Sequence, residues 1–303
     1  MKRAILVTGA GSGIGKAAVE LLASSGFEVF ATYRSSADGA ALAGLANVQP
    51  ICMDVTSAEE IDRAYQAIEA QVGDAGLYAI VNNAGITYAA PFEFADEGHA
   101  RQVMEVNLMA PFRISKKFLP LLQRHNANID GDAKARIVNI SSWAASLGQP
   151  FIGFYNASKF ALAGLSESMF YDLGLLGIHV VLASPGTTKT PLLGKTTGGA
   201  TEVLDSMPLE GRARYEPLLT HFASIGAQYS SSPLFQGPQQ VARKLLRILE
   251  ARKPRYAYDL SLDACVVNRF IARFAPWKMK VAMNRSIFQL SGSKLPAPTV
   301  AAG

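Results

Sequence analysis

Apolar positions along the chain follow two periods. Short, largely apolar runs at 4–7, 28–32, 48–53, 77–81, 136–142 and 178–183 read as strands buried on both faces, with 254–258 as a last strand. Between them, apolar residues recur at helical spacing. Ile14, Ala17, Ala18, Leu21 and Leu22 give one helix a single apolar face, and Gly26 ends it. Thr56-Ser57-Ala58-Glu59-Glu60 reads as the capped start of a helix to about Val72 that buries Ile61, Ala64, Tyr65 and Ile68. A helical pattern from about Asp96 to Leu122, the apolar run from Phe160 to Leu176, and Gln239 to Ala251 supply three more. Strands alternating with helices in this way predict an α/β fold, a doubly wound parallel sheet.

Two stretches break the alternation. Thr187 to Pro238 shows glycines, short helical fragments and no strand pattern, as a lid or binding loop would. Its apolar residues, Leu192, Leu193, Val203, Leu204, Met207, Leu218, Leu219, Phe222, Leu234 and Phe235, predict a greasy pocket wall beside residues that pack on the core. Cys265 to Leu290 mixes apolar and aromatic residues with Arg269, Arg273, Lys278 and Lys280. Such a helix can close a pocket, form a subunit contact or lie on a membrane surface. The expected organisation is one α/β domain over 1–259, with 187–238 as its substrate loop. A helical extension follows over 260–303, with a mobile tail from about Ser291.

Composition narrows the class. A chain of 303 residues with 49% hydrophobic content buries a large core. Two cysteines fit a reducing compartment, and neither a signal-peptide core nor a run of ~20 apolar residues is present, so a soluble cytoplasmic chain is expected. The net charge of +5 is uneven, with twelve Lys/Arg against three Asp/Glu between Val241 and Lys294. No nucleic-acid-binding pattern accompanies that basic end, so no nucleic-acid partner is expected.

The chemistry starts at Thr8-Gly9-Ala10-Gly11-Ser12-Gly13-Ile14-Gly15, set between a buried strand and an amphipathic helix. There, backbone N–H groups and a helix N-terminus can receive a phosphate. The second strand runs into Tyr33-Arg34-Ser35-Ser36 with no carboxylate at 32–36 to bind a ribose 2′-hydroxyl, whereas Arg34 with Ser35 suits a 2′-phosphate. NADP is therefore expected ahead of NAD. Tyr155 and Lys159 are four apart, so on a helix they share a face. A fixed ammonium beside a phenol favours the phenolate, and such a group can pass a proton in carbonyl–alcohol interconversion.

The TGxxxGIG spacing, Asn82-Asn83-Ala84-Gly85, and Asn107, Ser142, Tyr155 and Lys159 in this order resemble the short-chain dehydrogenase/reductase family. Ser142 lies thirteen positions before Tyr155, as in close relatives. The resemblance runs from Lys2 to about Asp259 and implies a Rossmann fold, an oxidoreductase that moves hydride between a nicotinamide and a carbonyl or hydroxyl carbon, and no metal. Gly9, Ser12, Gly13, Ile14 and Gly15 would line the pyrophosphate and ribose, and Asp54-Val55 would contact the adenine, although Asp54 can equally start the following helix. Asn82, Ala84 and Gly85 would pass close to the cofactor. Pro185, Gly186, Thr188 and Thr190 would wrap the nicotinamide.

In the resemblance Tyr155 supplies the proton, Ser142 binds the substrate oxygen, Lys159 holds the ribose and lowers the Tyr pKa, and Asn107 carries a water relay. Relatives that prefer NADP often have a basic residue just before the middle glycine, where this chain has Ser12. The 155–168 run looks like the hydroxysteroid and retinol dehydrogenase branch, which with the greasy loop predicts a lipophilic carbonyl or alcohol substrate. The family is often a homodimer or homotetramer. Two alternatives are an NAD-dependent dehydrogenase of small polar alcohols and an NADP-sensing regulator without turnover, which would usually have lost Tyr155 or Lys159.

Overall fold

The computed structural model describes residues 2–288 apart from 130, 132, 233 and 234. Leu234 and the tail from Ser291 lie outside them. Seven strands form one sheet: β1 (Ala4–Val7), β2 (Glu28–Tyr33), β3 (Val48–Cys52), β4 (Ala79–Asn82), β5 (Arg136–Ile140), β6 (His179–Ser184) and β7 (Ala257–Asp259). Their order is β3-β2-β1-β4-β5-β6-β7, and every pairing is parallel. The order reverses between β1 and β4, where the loops diverge and leave a crevice at the strands' C-terminal ends.

Strand alternation divides the core into two layers. Ile5, Val7, Val29 and Val181 pack against α1 (Gly13–Ser24) and α9 (Pro238–Glu250), while Leu6, Phe30, Ile80 and Ile137 pack against α3 (Ala58–Val72) and α5 (Ala110–Ala127). The remaining helices are α2 (Ser36–Ala43), α4 (Glu97–Met104), α6 (Gly153–Gly174), α7 (Pro191–Asp205), α8 (Leu209–Ser231), α10 (Leu262–Val266), α11 (Ala272–Phe274) and α12 (Trp277–Ile287). Arg136, fully buried at the start of β5, donates to the carbonyls of Lys134, Ile248 and Ala251 and so caps the C-terminus of α9.

The structure departs from the sequence pattern in four places. The short helix α2 is capped by Ser35, which accepts from Asp38 N–H at 3.2 Å. The long helix expected over 96–122 is interrupted by a π-turn, Glu105–Met109, that holds Asn107. The stretch 187–238 is mostly two long helices, α7 and α8, rather than short fragments. Gly194, Gly198 and Gly199 in one and Pro217 in the other hide the pattern. What holds them is a third apolar cluster in which Val203, Leu204 and Met207 meet Leu219, Phe222 and Ile225. The C-terminal helix is also broken. A π-turn, Val267–Ile271, joins α10 to α11, and Pro276 separates both from α12. Among the described residues, no helix is long and apolar enough to cross a membrane.

Candidate active site

Four sequence-selected side chains converge at the C-terminal edge of β4 and β5. Ser142 lies two residues past β5, and its hydroxyl hydrogen-bonds the Tyr155 phenol in the first turn of α6. One turn on, Lys159 is 5% exposed, and its Nζ donates to the Ile140 carbonyl at 2.9 Å, 5.8 Å from the Tyr155 ring centre. Ser141, the neighbour most easily mistaken for Ser142, is buried with an unpartnered hydroxyl.

Asn107 is fully buried and does not reach the cavity. Its Nδ2 donates to Ile86 O at 2.9 Å and Ser158 Oγ at 3.0 Å, and its Oδ1 accepts from Ile86 N–H at 2.9 Å. Both ends of the amide are thus committed to locking α6 against the strand β4 extension. The π-turn that places it there leaves part of the helix ladder open.

Electrostatics correct one expectation. Burial pushes the Tyr155 phenol up, with the Ser142 hydrogen bond working the other way, and burial pulls Lys159 down to about 8. The net shift of the phenol is upward because its desolvation outweighs what favours the phenolate, and Lys159 directs its hydrogen bond to Ile140.

A cavity of about 820 Å³ runs from these residues to the glycine turn. Gly9, Ser12, Gly13 and Ile14 line one end beside Arg34, Ser35 and Val55, then Ala84 and Gly85, while Pro185, Gly186, Thr188 and Thr190 border the end that holds Ser142, Tyr155 and Lys159. Three expected cofactor residues stand behind the wall instead. Gly15 is an approach point, since a Cβ there would overlap the Gly9 carbonyl oxygen and the Asn83 amide. Asp54 turns to the start of α3, accepting from Thr56 N–H at 2.8 Å and Thr56 Oγ1 at 2.7 Å, and its neighbours Met53 and Val55 face the cavity. Asn82 binds Asn139 Oδ1 at 2.8 Å and Ser115 Oγ at 3.1 Å within the sheet. Asn83 lines the cavity and ties to Thr8 O at 2.9 Å.

Sequence reasoning missed Asp38. Its carboxylate lies against Gly11 in the cavity wall and accepts from Ser35 Oγ at 2.7 Å. Its signal in the sequence is the Ser35-x-x-Asp38 capping pattern, two residues past Ser36. Gly186 also has a second duty. A Cβ there would overlap Asp263 and Ser261 of the C-terminal extension, and Asp263 Oδ2 accepts from Thr187 N–H at 2.8 Å.

The glycine turn, a guanidinium at the strand end and a buried ammonium make a donor set that fits a nicotinamide dinucleotide. Ser141 and Thr87, whose buried hydroxyls have no partner, stand in the same wall. A model of the short chain dehydrogenase family matches residues 3–199. The chain belongs to the short-chain dehydrogenase family. This dehydrogenase is 30% identical over 263 residues to the 3-amino-tetrahydro-pyrrolizinone reductase of Xenorhabdus hominickii, covering 87% of this chain and 88% of the relative. It is 30% identical over 258 residues to the NADPH-dependent 3-dehydrocapnine reductase of Ornithobacterium rhinotracheale, covering 84% and 87%. Its fold superposes on a short-chain dehydrogenase from Streptomyces avermitilis with a TM-score of 0.69 at 25% identity, covering 96% of this chain and 97% of the other. It is an oxidoreductase of hydroxyl and carbonyl groups that uses a nicotinamide dinucleotide.

The buried ammonium has a measurable cost. Lys159 loses its proton near pH 8 when folded and near 10.5 when unfolded, so the unfolded chain binds more protons in between and stability rises with pH across that window. The raised Tyr155 pKa opposes this only above pH 10. Lys159→Met is expected to stabilise the fold at pH 7 by about 3 kcal/mol and to flatten the rise. Denaturant titrations across that pH range check this; a destabilised variant would mean that the ammonium is fully compensated.

Proposed function

We propose that this dehydrogenase reduces a lipophilic carbonyl compound, or oxidises the matching alcohol, with NADP(H). The observation that carries the reading is the Ser142–Tyr155–Lys159 cluster at the end of a cavity that begins at the glycine turn. A bound nicotinamide supplies or accepts the hydride. The chain's residues do the rest. In the reductive direction the Tyr155 hydroxyl, kept protonated by its raised pKa, donates to the substrate oxygen. Ser142 Oγ, hydrogen-bonded to that phenol, donates to the same oxygen as charge builds on it. The Lys159 ammonium stabilises the phenolate left behind. Asn107 is a positioning residue that holds α6, and with it Tyr155 and Lys159, in register.

The lipophilic substrate class is supported by the wall around Ser142. Trp143 and Ile152 line it, with Phe222 and Ile225 from α8, Ile287 from α12 and Phe288 just past its end. Of the loop residues picked out by sequence, Leu192, Leu193 and Phe222 face the cavity. Val203, Leu204, Met207, Leu218 and Leu219 are buried, and Phe235 does not line the cavity. We take α7 and α8 as a substrate lid and α10–α12 as an extension that completes the pocket.

NADP is supported by Arg34 and Ser35 in the wall. The Arg34 guanidinium remains largely exposed, with Asp54 Oδ2 4.0 Å away. Asp38 favours the second reading, NAD, because its carboxylate could accept from a ribose hydroxyl in the same corner. A homo-oligomer is supported by the outer stripe of α6, which leaves Phe160, Tyr171 and, just past the helix end, an 89% exposed Leu175 uncovered.

Three measurements follow. Tyr155→Phe is expected to lower NADPH-dependent turnover of a bulky ketone at least about a thousandfold with cofactor affinity kept; retained turnover, or no turnover by the wild type with any steroid, retinoid or fatty carbonyl, would sink the reading. Arg34→Asp should lower kcat/KM for NADPH relative to NADH by at least about tenfold, and an unchanged ratio returns the cofactor to NAD. Leu175→Asp should reduce the sedimentation coefficient to that of a single chain; if the wild type already sediments as one, the oligomer is wrong.

A further inference from the structure

The C-terminal extension presents an outward apolar stripe. Leu262, Val266, Phe270 and Phe274 recur every four residues through α10, the π-turn and α11, and Trp277 opens α12 just beyond. Leu262 is 80% exposed, Phe274 75% and Trp277 76%. Charge is as one-sided as hydrophobicity. Leu262 to Phe288 holds five Lys/Arg and one acidic residue, Asp263, which is turned inward on Thr187. Arg269 pairs with Asp259 and Lys280 Nζ donates to Ala272 O, but Arg273, Lys278 and Arg285 are exposed and make no ion pair among the described residues.

We propose that this face docks on the surface of an anionic phospholipid bilayer. The aromatic stripe would enter the headgroup boundary, and the flanking cations would meet lipid phosphates. Charge complementarity separates this occupant from a second copy. A twofold contact would set the cationic face against itself, and such like-charge juxtaposition opposes association. The surface is also continuous with the cavity: Met283 and Ile287 on α12 line it, so the docking element carries part of the cavity wall. The docking goes beyond the proposed reaction and holds whichever carbonyl compound is the substrate.

The test is co-sedimentation of the full chain with vesicles of phosphatidylcholine and with vesicles containing about one-third phosphatidylglycerol. The wild type is expected to pellet with the anionic vesicles and progressively less as salt is raised. Phe270→Asn with Phe274→Asn, and separately Arg273→Glu with Lys278→Glu, should each weaken that binding at least about tenfold while the melting temperature stays at the wild-type value. A wild type that stays off anionic vesicles at low salt overturns the proposal, as do variants that pellet equally well. A sedimentation coefficient that falls in the Phe270/Phe274 variant without vesicles also overturns it, by assigning the stripe to a second copy.

Discussion

Burial of the Lys159 ammonium is the constraint on which the site depends. A charge taken out of water needs a fixed acceptor, and here that acceptor is the Ile140 carbonyl at the last residue of β5. The contact sets where the strand stops, how far α6 reaches over the sheet edge, and where Tyr155 points, one turn earlier on the same face. Asn107 secures the arrangement from the far side by joining Ile86 to Ser158, and Ser158 Oγ donates to the Tyr155 carbonyl at 2.7 Å. Tyr155 and Lys159 are thus held by backbone and amide bonds within regular elements, and the rotamer freedom of long side chains contributes little.

The cofactor end is built by close approach. Thr8 Oγ1 accepts from the N–H groups of both Asn83 and Ala84 at 3.0 Å, stitching the ends of β1 and β4 at the point where the sheet order reverses. The other end is built from apolar surface, where α7, α8 and Phe288 meet Ile152. The first construction tolerates almost no change of atom size. The second can be repacked with side chains of similar volume.

The sheet was legible in the sequence because strands buried on both faces leave short apolar runs that little else produces. The site was legible where spacing carries the chemistry, as in Tyr155 with Lys159, or where a local weakness marks a purpose, as at Asn107 in mid-helix. Three features were not. Asp38 comes into the cavity through a side-chain cap, and the periodicity of its short helix is too weak to announce it. Asn82 and Asn83 differ by one position, and which of them faces the crevice depends on where the strand ends. The helices of 187–238 are low in propensity and exist because they pack on one another, a tertiary cause that no local window contains.

Strain sits where these layers join. Phe151, in the left-handed region at φ 67°, ends the loop into α6; its ring meets Phe222 edge to face, and Phe222 stacks on Phe288 at 5.9 Å. The ring that closes this apolar end of the cavity thus comes from the far end of the described chain, long after Ser142, Tyr155 and Lys159. The glycine-turn end of the cavity is drawn from the first part of the chain, yet it too is braced late, because α9 packs on α1 and Asp263 holds the Thr187 N–H.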